Sequence, residues 1–426
     1  MSGTGTLRWK IIALAFLATT INYLDRANLG VSLPFLAEEL GLSPATSGLV
    51  LGAFFWTYAA MQFPAGWLVD RFGPRVMLAL AVLTWSLFTA LTGLATGFVS
   101  LLVLRLLLGM GESPSYPANA KVVSLWFPAQ ERGLAASIFD SGARFGTALA
   151  LPLITLVIAA SGWRTSFFVT GAVGIVFVVL WLRVYQDPDR HPKLTPHELT
   201  HIRGGEPTAH EAAVAVPWRT LFRYRATWGM SIGIFCVSFV LYFFITWFPS
   251  YLVAERGFDL MRLGSLGAVP ALLAMPAQWA GGLLQGRLIK RGRSVSFARK
   301  VPLVSGLVLS SVIVFAAGAP SATVALGLFT LSYCALGFAA SSLWALPADL
   351  APAPGNVASL AGIQGFASNL AGFVSPLLIG LLLGVGGSYV VPLAVAGAVS
   401  LLGALTYLVL MGPVRPLVPV VKGVPA

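Results

Sequence analysis

Hydrophobic and polar positions in this chain segregate and do not alternate: long apolar runs follow one another, parted by short polar, basic or Gly/Pro-bearing breaks. Four windows, 76–104, 226–254, 301–348 and 350–414, contain no Asp, Glu, Lys or Arg. A membrane-crossing helix needs ~20 predominantly apolar residues, so each window has room for one or two. Runs of this length satisfy their backbone groups in lipid only as helices, whereas barrel strands would read as short alternating segments. Twelve spans can be drawn, near 11–33, 46–69, 77–96, 98–120, 134–160, 165–185, 226–253, 262–286, 300–318, 321–347, 357–384 and 389–411. One substantial polar stretch divides them six and six. The expectation is an all-α polytopic protein with a bundle over 1–185, a linker over 186–217 and a second bundle over 218–426. The first run keeps charges within it and lacks a small-residue cleavage site, so it reads as a retained span and not as a signal peptide.

Composition agrees: 57% of residues are hydrophobic and 10% charged, against about 25% charged in soluble domains. The chain's partner is a lipid bilayer. The net charge of +12 is explained by its placement. Arg8, Lys10, Arg71, Arg75 and Arg132 flank alternate spans, the linker region from Arg183 to Arg225 is rich in arginine, and 287–300 adds another basic cluster. The opposite loops hold Arg164, Arg256 and Arg262. This is a positive-inside pattern with both termini in the cytoplasm. Nucleic-acid binding would need a basic face on a soluble fold and is set aside.

Cys236 and Cys334 lie within spans, where a thiol behaves as a small apolar group. All four histidines fall in the linker. His197 and His201 are four apart and could share a metal on a helix face, but the same stretch reads more simply as a solvated helix. Thr195 would be its N-cap, Pro196 would open its first turn and Glu198 would complete a capping box. No metal site or cofactor is assigned.

The six-and-six division invites a search for a repeat. Gly66-Trp67-Leu68-Val69-Asp70-Arg71-Phe72-Gly73-Pro74-Arg75 follows the second span, and Gly282-Leu283-Leu284-Gln285-Gly286-Arg287-Leu288-Ile289-Lys290-Arg291 follows the eighth. Both fit G-x-L-x-x-R-x-x-x-R, which implies two homologous bundles of the kind that place a transport site between halves. The segment from Gly66 to Arg75 resembles, at every position, the G-x-x-x-D-R-x-G-x-R signature loop of the major facilitator superfamily. The resemblance assigns Asp70 a contact with the end of a neighbouring helix that holds one conformational state. A carboxylate is favoured at a helix N-terminus; the plainer alternative for Asp70 and Arg71 is charge at a cytoplasmic turn. In the second copy Gly286 replaces the aspartate.

Ionisable groups inside a span are costly and point to function. They are Asp25 and Arg26 in the first span, Arg105 and Glu112 in the fourth, and Asp140 and Arg144 in the fifth. Arg105 and Glu112 share a face ~10 Å apart along the axis, suited to lining one path at two depths. Asp140 and Arg144, four apart, can pair directly, as a structural pair or as part of a site. Each acid that takes up a proton leaves the set more positive and favours an anion, a physical route to proton-coupled uptake.

Asn22-Tyr23-Leu24-Asp25-Arg26 and the fourth-span run from Arg105 to Pro114, with Pro117-Ala118-Asn119 and Trp126-Phe127-Pro128 beyond it, are similar to the anion:cation symporters within that superfamily. This branch contains galactonate, glucarate and hexuronate permeases and the sialic acid and vesicular glutamate transporters. The resemblance implies symport of a small organic anion with a proton, by alternating access, in a bacterial inner membrane, by a monomer. It assigns Arg26 to the substrate, Tyr23 and Tyr58 to the pocket wall, Asp25 and Glu112 to proton carriage, and Arg105 to engaging those acids. Asp140 joins the proton-coupling candidates.

In the second half Trp344, Gln364 and Asn369 are the residues expected to face a site; Asn369 resembles an asparagine that bonds sugar hydroxyls. Core packing is the alternative for the aromatic residues, and interhelical hydrogen bonding for the two amides. Where the galactonate-type pattern carries a fifth-span glutamine, this chain has Ala143 followed by Arg144. A lost amide and a gained cation point to a second carboxylate on the substrate, as in an aldarate. An exporter or exchanger of organic anions and a transporter-like receptor are the competing functions. An enzyme is not expected, since the chain shows no nucleophile motif, metal cluster or phosphate loop.

Overall fold

The computed structural model describes residues 6–127, 129–203, 217–352 and 356–417. Its helices are α1 (Thr6–Glu39), α2 (Pro44–Thr92), α3 (Phe98–Glu112), α4 (Ser115–Trp126), α5 (Ala129–Val184), α6 (Pro196–Arg203), α7 (Trp218–Leu221), α8 (Arg225–Thr246), α9 (Phe248–Ala254), α10 (Leu260–Leu266), α11 (Val269–Lys290), α12 (Val295–Ser310), α13 (Ala322–Ala340), α14 (Leu346–Leu350), α15 (Val357–Gly386) and α16 (Val390–Leu405). No strand occurs among the described residues. The fold is all-α, and helical structure covers every segment the apolar pattern marks out. Among the described residues, nine helical stretches are long and apolar enough to cross a membrane.

Two long helices are broken where the sequence places a turn. α2 breaks at Gly73 (φ 78°, ψ 158°) and α5 at Gly162 (φ 82°, ψ 167°). Side chains with a Cβ rarely adopt that region, so glycine is what lets each chain turn between adjacent spans. The fourth span departs from its expected end: after Ser113 and Pro114 the chain resumes as α4 and runs on to Trp126. In the linker, Glu198 N–H donates to Thr195 Oγ1 (3.2 Å) while Thr195 N–H donates to Glu198 Oε2 (3.1 Å). This is the reciprocal capping box of a solvated helix. The side chain of His197 lies outside the described set.

The chain forms two compact units. The first comprises Met1–Thr208, Ile245–Ala268 and Pro376–Gly384; the second comprises Ala209–Phe244, Val269–Ser375 and Val385–Ala426. In the first unit α1 lies along α5 and α2 along α3, around Trp85, Trp126, Trp181 and Tyr185, all fully buried. In the second, α13 packs on α11 and α12, with Phe243 stacked on Phe329 and Phe244 on Tyr333. Large apolar residues such as Leu83, Val99, Val176, Leu401 and Leu405 are exposed on the outer faces of their helices. In water this would be a liability, but in lipid it is the solvated surface.

At the end of α1 Glu39 gathers two partners from the α5 break: the Trp163 indole N–H donates to Oε2 (2.6 Å), and Arg164 donates to Oε1. Glu39 lies beyond the first apolar span. The Trp163 hydrogen bond, followed by that of Arg164, holds its carboxyl below the ordinary value of 4.5. A group whose pKa is depressed by folding adds stability above its unfolded value and loses it as pH falls through the folded one. The detergent-solubilised protein should therefore lose thermal stability below about pH 4.5, and Glu39→Gln should blunt that acid limb. An identical acid limb in both proteins would refute the assignment.

Candidate functional site

The ionisable groups of the first unit converge because of how α3 meets α2. A Cβ at Gly109 would collide with the Phe54 carbonyl oxygen and with Thr57 Oγ1, so only glycine permits this crossing. Thr57 Oγ1 then donates across it to the Leu106 carbonyl (2.6 Å). Arg105, one turn before Gly109, is thereby set against the Phe54 ring, 5.3 Å from its centroid.

α1 supplies the second arginine. The Arg26 guanidinium lies 4.8 Å from the Tyr23 ring, 4.7 Å from Phe54 and 4.8 Å from Tyr58. Such a cage favours a cation most when water is kept out. Arg26 is also ion-paired with Glu112, donating from Nε to Oε1. Both side chains are buried, at 6% and 0% exposure, so the pair is not a solvent-screened surface bridge. Glu112 Oε2 and both polar atoms of Asn22 have no hydrogen-bond partner, and Asn22 faces Glu112. Asp25 is buried with neither carboxylate oxygen hydrogen-bonded; Arg105 and Glu112 face it.

Asp140 and Arg144 on α5 do pair, at 4.0 Å and half-buried. Asp140 also accepts from the Tyr116 hydroxyl (3.2 Å). Tyr116 in turn faces Tyr23, and Gly146, two residues beyond Arg144, packs on Tyr23 Cβ. The structure thus brings Tyr23, Asp25, Arg26, Tyr58, Arg105 and Glu112 together and sets Asp140 and Arg144 beside them. Phe54, Asn22 and Tyr116 are additions to the set read from sequence. Phe54 precedes Tyr58 by four on α2 and Asn22 precedes Arg26 by four on α1, a helical spacing legible in the sequence, whereas Tyr116 lies on α4 beyond the break after Glu112 and carries no such signal. Arg26 bonds Glu112, and Arg105, to which the resemblance assigns the engagement of the acids, faces both Asp25 and Glu112 from the Phe54 ring.

In the signature loop the Arg71 guanidinium covers Trp67 (5.2 Å) and Phe72 (5.5 Å). Arg75 donates to the Leu182 carbonyl (2.9 Å), and the Trp181 indole donates back to the Arg75 carbonyl (2.9 Å). The turn at Gly73 is thereby tied to the end of α5, with Gly66 one helical stretch before it. The side chain of Asp70 lies outside the described set. In the second copy, where Gly286 offers no carboxylate, the preceding Gln285 accepts from Arg299 (2.6 Å), and Arg299 also donates to Asp349 (2.8 Å). In the second unit Gln364 is buried and donates to the Leu343 carbonyl (3.0 Å), leaving Oε1 without a partner. Asn369 is half-buried on α15, and the Trp344 side chain lies outside the described set.

Residues 15–376 match the sequence profile of the Major Facilitator Superfamily. The chain belongs to that superfamily. It is 36% identical to a probable galactarate/D-glucarate transporter of Bacillus subtilis, over 96% of this chain and 93% of the relative. It is 38% identical to a probable sulfoacetate transporter of Cupriavidus necator, over 94% of this chain and 93% of the relative. A solved bacterial homologue of the human lysosomal transporter Spinster, inward-facing and occupied, superposes with a TM-score of 0.77 over 95% of this chain and 97% of its own, at 19% identity. That last likeness shows the fold alone. As a member of this superfamily the protein is a multi-pass membrane transporter and not an enzyme.

Proposed function

We propose that this facilitator-superfamily protein imports a small organic anion together with a proton across the bacterial inner membrane by alternating access, through twelve spans with both termini cytoplasmic. The observation that carries the reading is the buried Arg26–Glu112 pair inside the Tyr23, Phe54 and Tyr58 cage. Glu112 occupies the cation that a substrate carboxylate would need. A proton on Glu112 neutralises it and frees Arg26, and the incoming carboxylate restores the pairing that a buried guanidinium requires. Proton and anion are then required together. Asp25, buried with the Glu112 carboxylate facing it, supports the reading, since a carboxylate in such a place is far less costly with a proton on it. In the second unit, Gln364, Asn369 and Trp344 are the residues we propose for substrate contact.

The substrate class we favour is a dianion: an aldarate or a short acid with two anionic ends. Support comes from Arg144, half-buried and only loosely paired with Asp140, whose carboxylate Tyr116 also bonds, and from relatives named for galactarate, D-glucarate and sulfoacetate, all of which carry two acidic groups. Arg144→Gln should lower uptake of D-glucarate by about tenfold, one charge-assisted contact being worth ~1.5 kcal/mol, with little effect on D-galactonate. An unchanged ratio of the two uptakes in reconstituted vesicles would defeat the dianion reading.

A further inference from the structure

A second polar region of the first unit starts at the edge of the arginine cage, at Asn22 and Asp25, and runs away from it. Asn22, Asp25, Asn28 and Ser32 recur at three- and four-residue spacing and so share one face of α1. Beyond Asp25 that face meets α5. Asn28 Nδ2 donates to Thr170 Oγ1 (3.1 Å), while Ser32 Oγ (3.0 Å) and Ser166 Oγ (2.9 Å) both donate to Asn28 Oδ1. Ser166 also bonds the Trp163 carbonyl (2.7 Å), and the Trp163 indole bonds Glu39. The hydrogen-bonded run thus goes from Thr170 through Asn28 to Ser32 and Ser166 and stops at the Trp163 backbone carbonyl, while the indole of the same residue separately bonds the exposed Glu39 carboxylate at the end of α1.

The helix α2 lines the other side. Trp85 and Thr170 both face Asp25, and Ser86 Oγ lies where a Cβ on Gly174 of α5 would stand. Trp85 Nε1, Ser86 Oγ, Thr89 Oγ1 and both Asp25 oxygens are fully buried and have no hydrogen-bond partner. Orphaned buried polar atoms are rare, and several lying along one seam are the usual lining of internal water. Arg105 and Glu112 of α3 are the charged groups that face Asp25, with Arg26 its neighbour in sequence; the contacts from α2 and α5 are indole and hydroxyl.

We propose that this seam is a hydrated proton passage from the Glu39 end of the first unit to Asp25, separate from the route the anion takes to Arg26. The partner-free hydroxyls of Ser86 and Thr89 hold the water chain, and Asn28 fixes Thr170, Ser32 and Ser166 so that their oxygens offer acceptors along its other wall. Each hydroxyl or water that accepts a proton releases another, so Asp25 alone changes charge. The inference rests on the proton-coupled reading above.

The test uses the full-length protein in proteoliposomes, with labelled D-glucarate or sulfoacetate, whichever the wild type exchanges. Accumulation driven by an imposed pH gradient requires proton delivery; counterflow at equal pH does not. Thr170→Val and the pair Ser86→Ala with Thr89→Val should each slow gradient-driven uptake roughly fivefold, the equivalent of one lost hydrogen bond in a relay. They should leave counterflow nearly unchanged and enlarge the solvent deuterium effect, and Thr170→Ser should restore the rate. Unchanged gradient-driven uptake, or equal losses in both assays, would overturn the passage alone. Counterflow without gradient-driven uptake in the wild type would overturn the coupling reading, and the passage with it.

Discussion

Arg26→Met should lower affinity for the acid by at least about a hundredfold, since two charge-assisted hydrogen bonds of ~1.5–3 kcal/mol each are lost. Methionine retains much of the length and apolar bulk that fill the space between Tyr23, Phe54 and Tyr58. The loss therefore reports the guanidinium and not a cavity. The same change leaves Glu112 buried without its countercharge, a situation that costs about 3–5 kcal/mol when one partner of a buried pair is removed, so thermal stability should fall as well. Adding Glu112→Gln to Arg26→Met removes the stranded charge. The double variant should regain stability and remain unable to bind, as measured by scintillation proximity binding beside a thermal melt. Recovery of binding in the double variant would show that Arg26 serves the fold and not the substrate.

Glu112→Gln alone should separate binding from coupling. The amide mimics the protonated acid in shape and charge, so Arg26 is permanently available to an anion. Binding should persist and lose its dependence on pH, exchange of labelled for unlabelled acid should continue, and accumulation driven by a pH gradient should disappear. The effect on accumulation is the largest expected from any conservative change in the chain, because a neutral amide has no proton to carry. Gradient-driven accumulation at the wild-type rate in this variant would move the coupling role to Asp25 or Asp140.

The parts of this architecture that depend on chain-local chemistry were open to reading from the residues. Charge-free windows mark the helices, Gly73 falls at the signature turn, and the Thr195–Glu198 box forms as its spacing requires. Intramembrane charge drew attention to Arg26, Arg105, Glu112, Asp140 and Arg144, because an ionisable group in lipid needs a reason. Their partners were less legible. Glu112 shares a helix face with Arg105, yet it bonds Arg26 from another helix, and nothing local to either segment encodes which helices cross or where. Phe54 belongs to the site because Gly109 admits α2 so closely. Hydroxyls were the least legible. A serine or threonine in a span commonly bonds its own preceding turn, as Thr19 does to Ala15 and Thr20 to Phe16. Only the packed structure separates those from Ser86 and Thr89, which have no hydrogen-bond partner, and from Thr170, which bonds the Phe167 carbonyl of its own preceding turn but also accepts from Asn28.

Simultaneous recording of interior pH and labelled D-glucarate or sulfoacetate in wild-type proteoliposomes tests the central claim most directly. If proton and anion enter together through the exchange of Glu112 for substrate on Arg26, adding the acid outside will acidify the lumen, with proton entry in fixed proportion to uptake and both abolished by Arg26→Met. Uptake of the acid with no movement of protons would contradict the account.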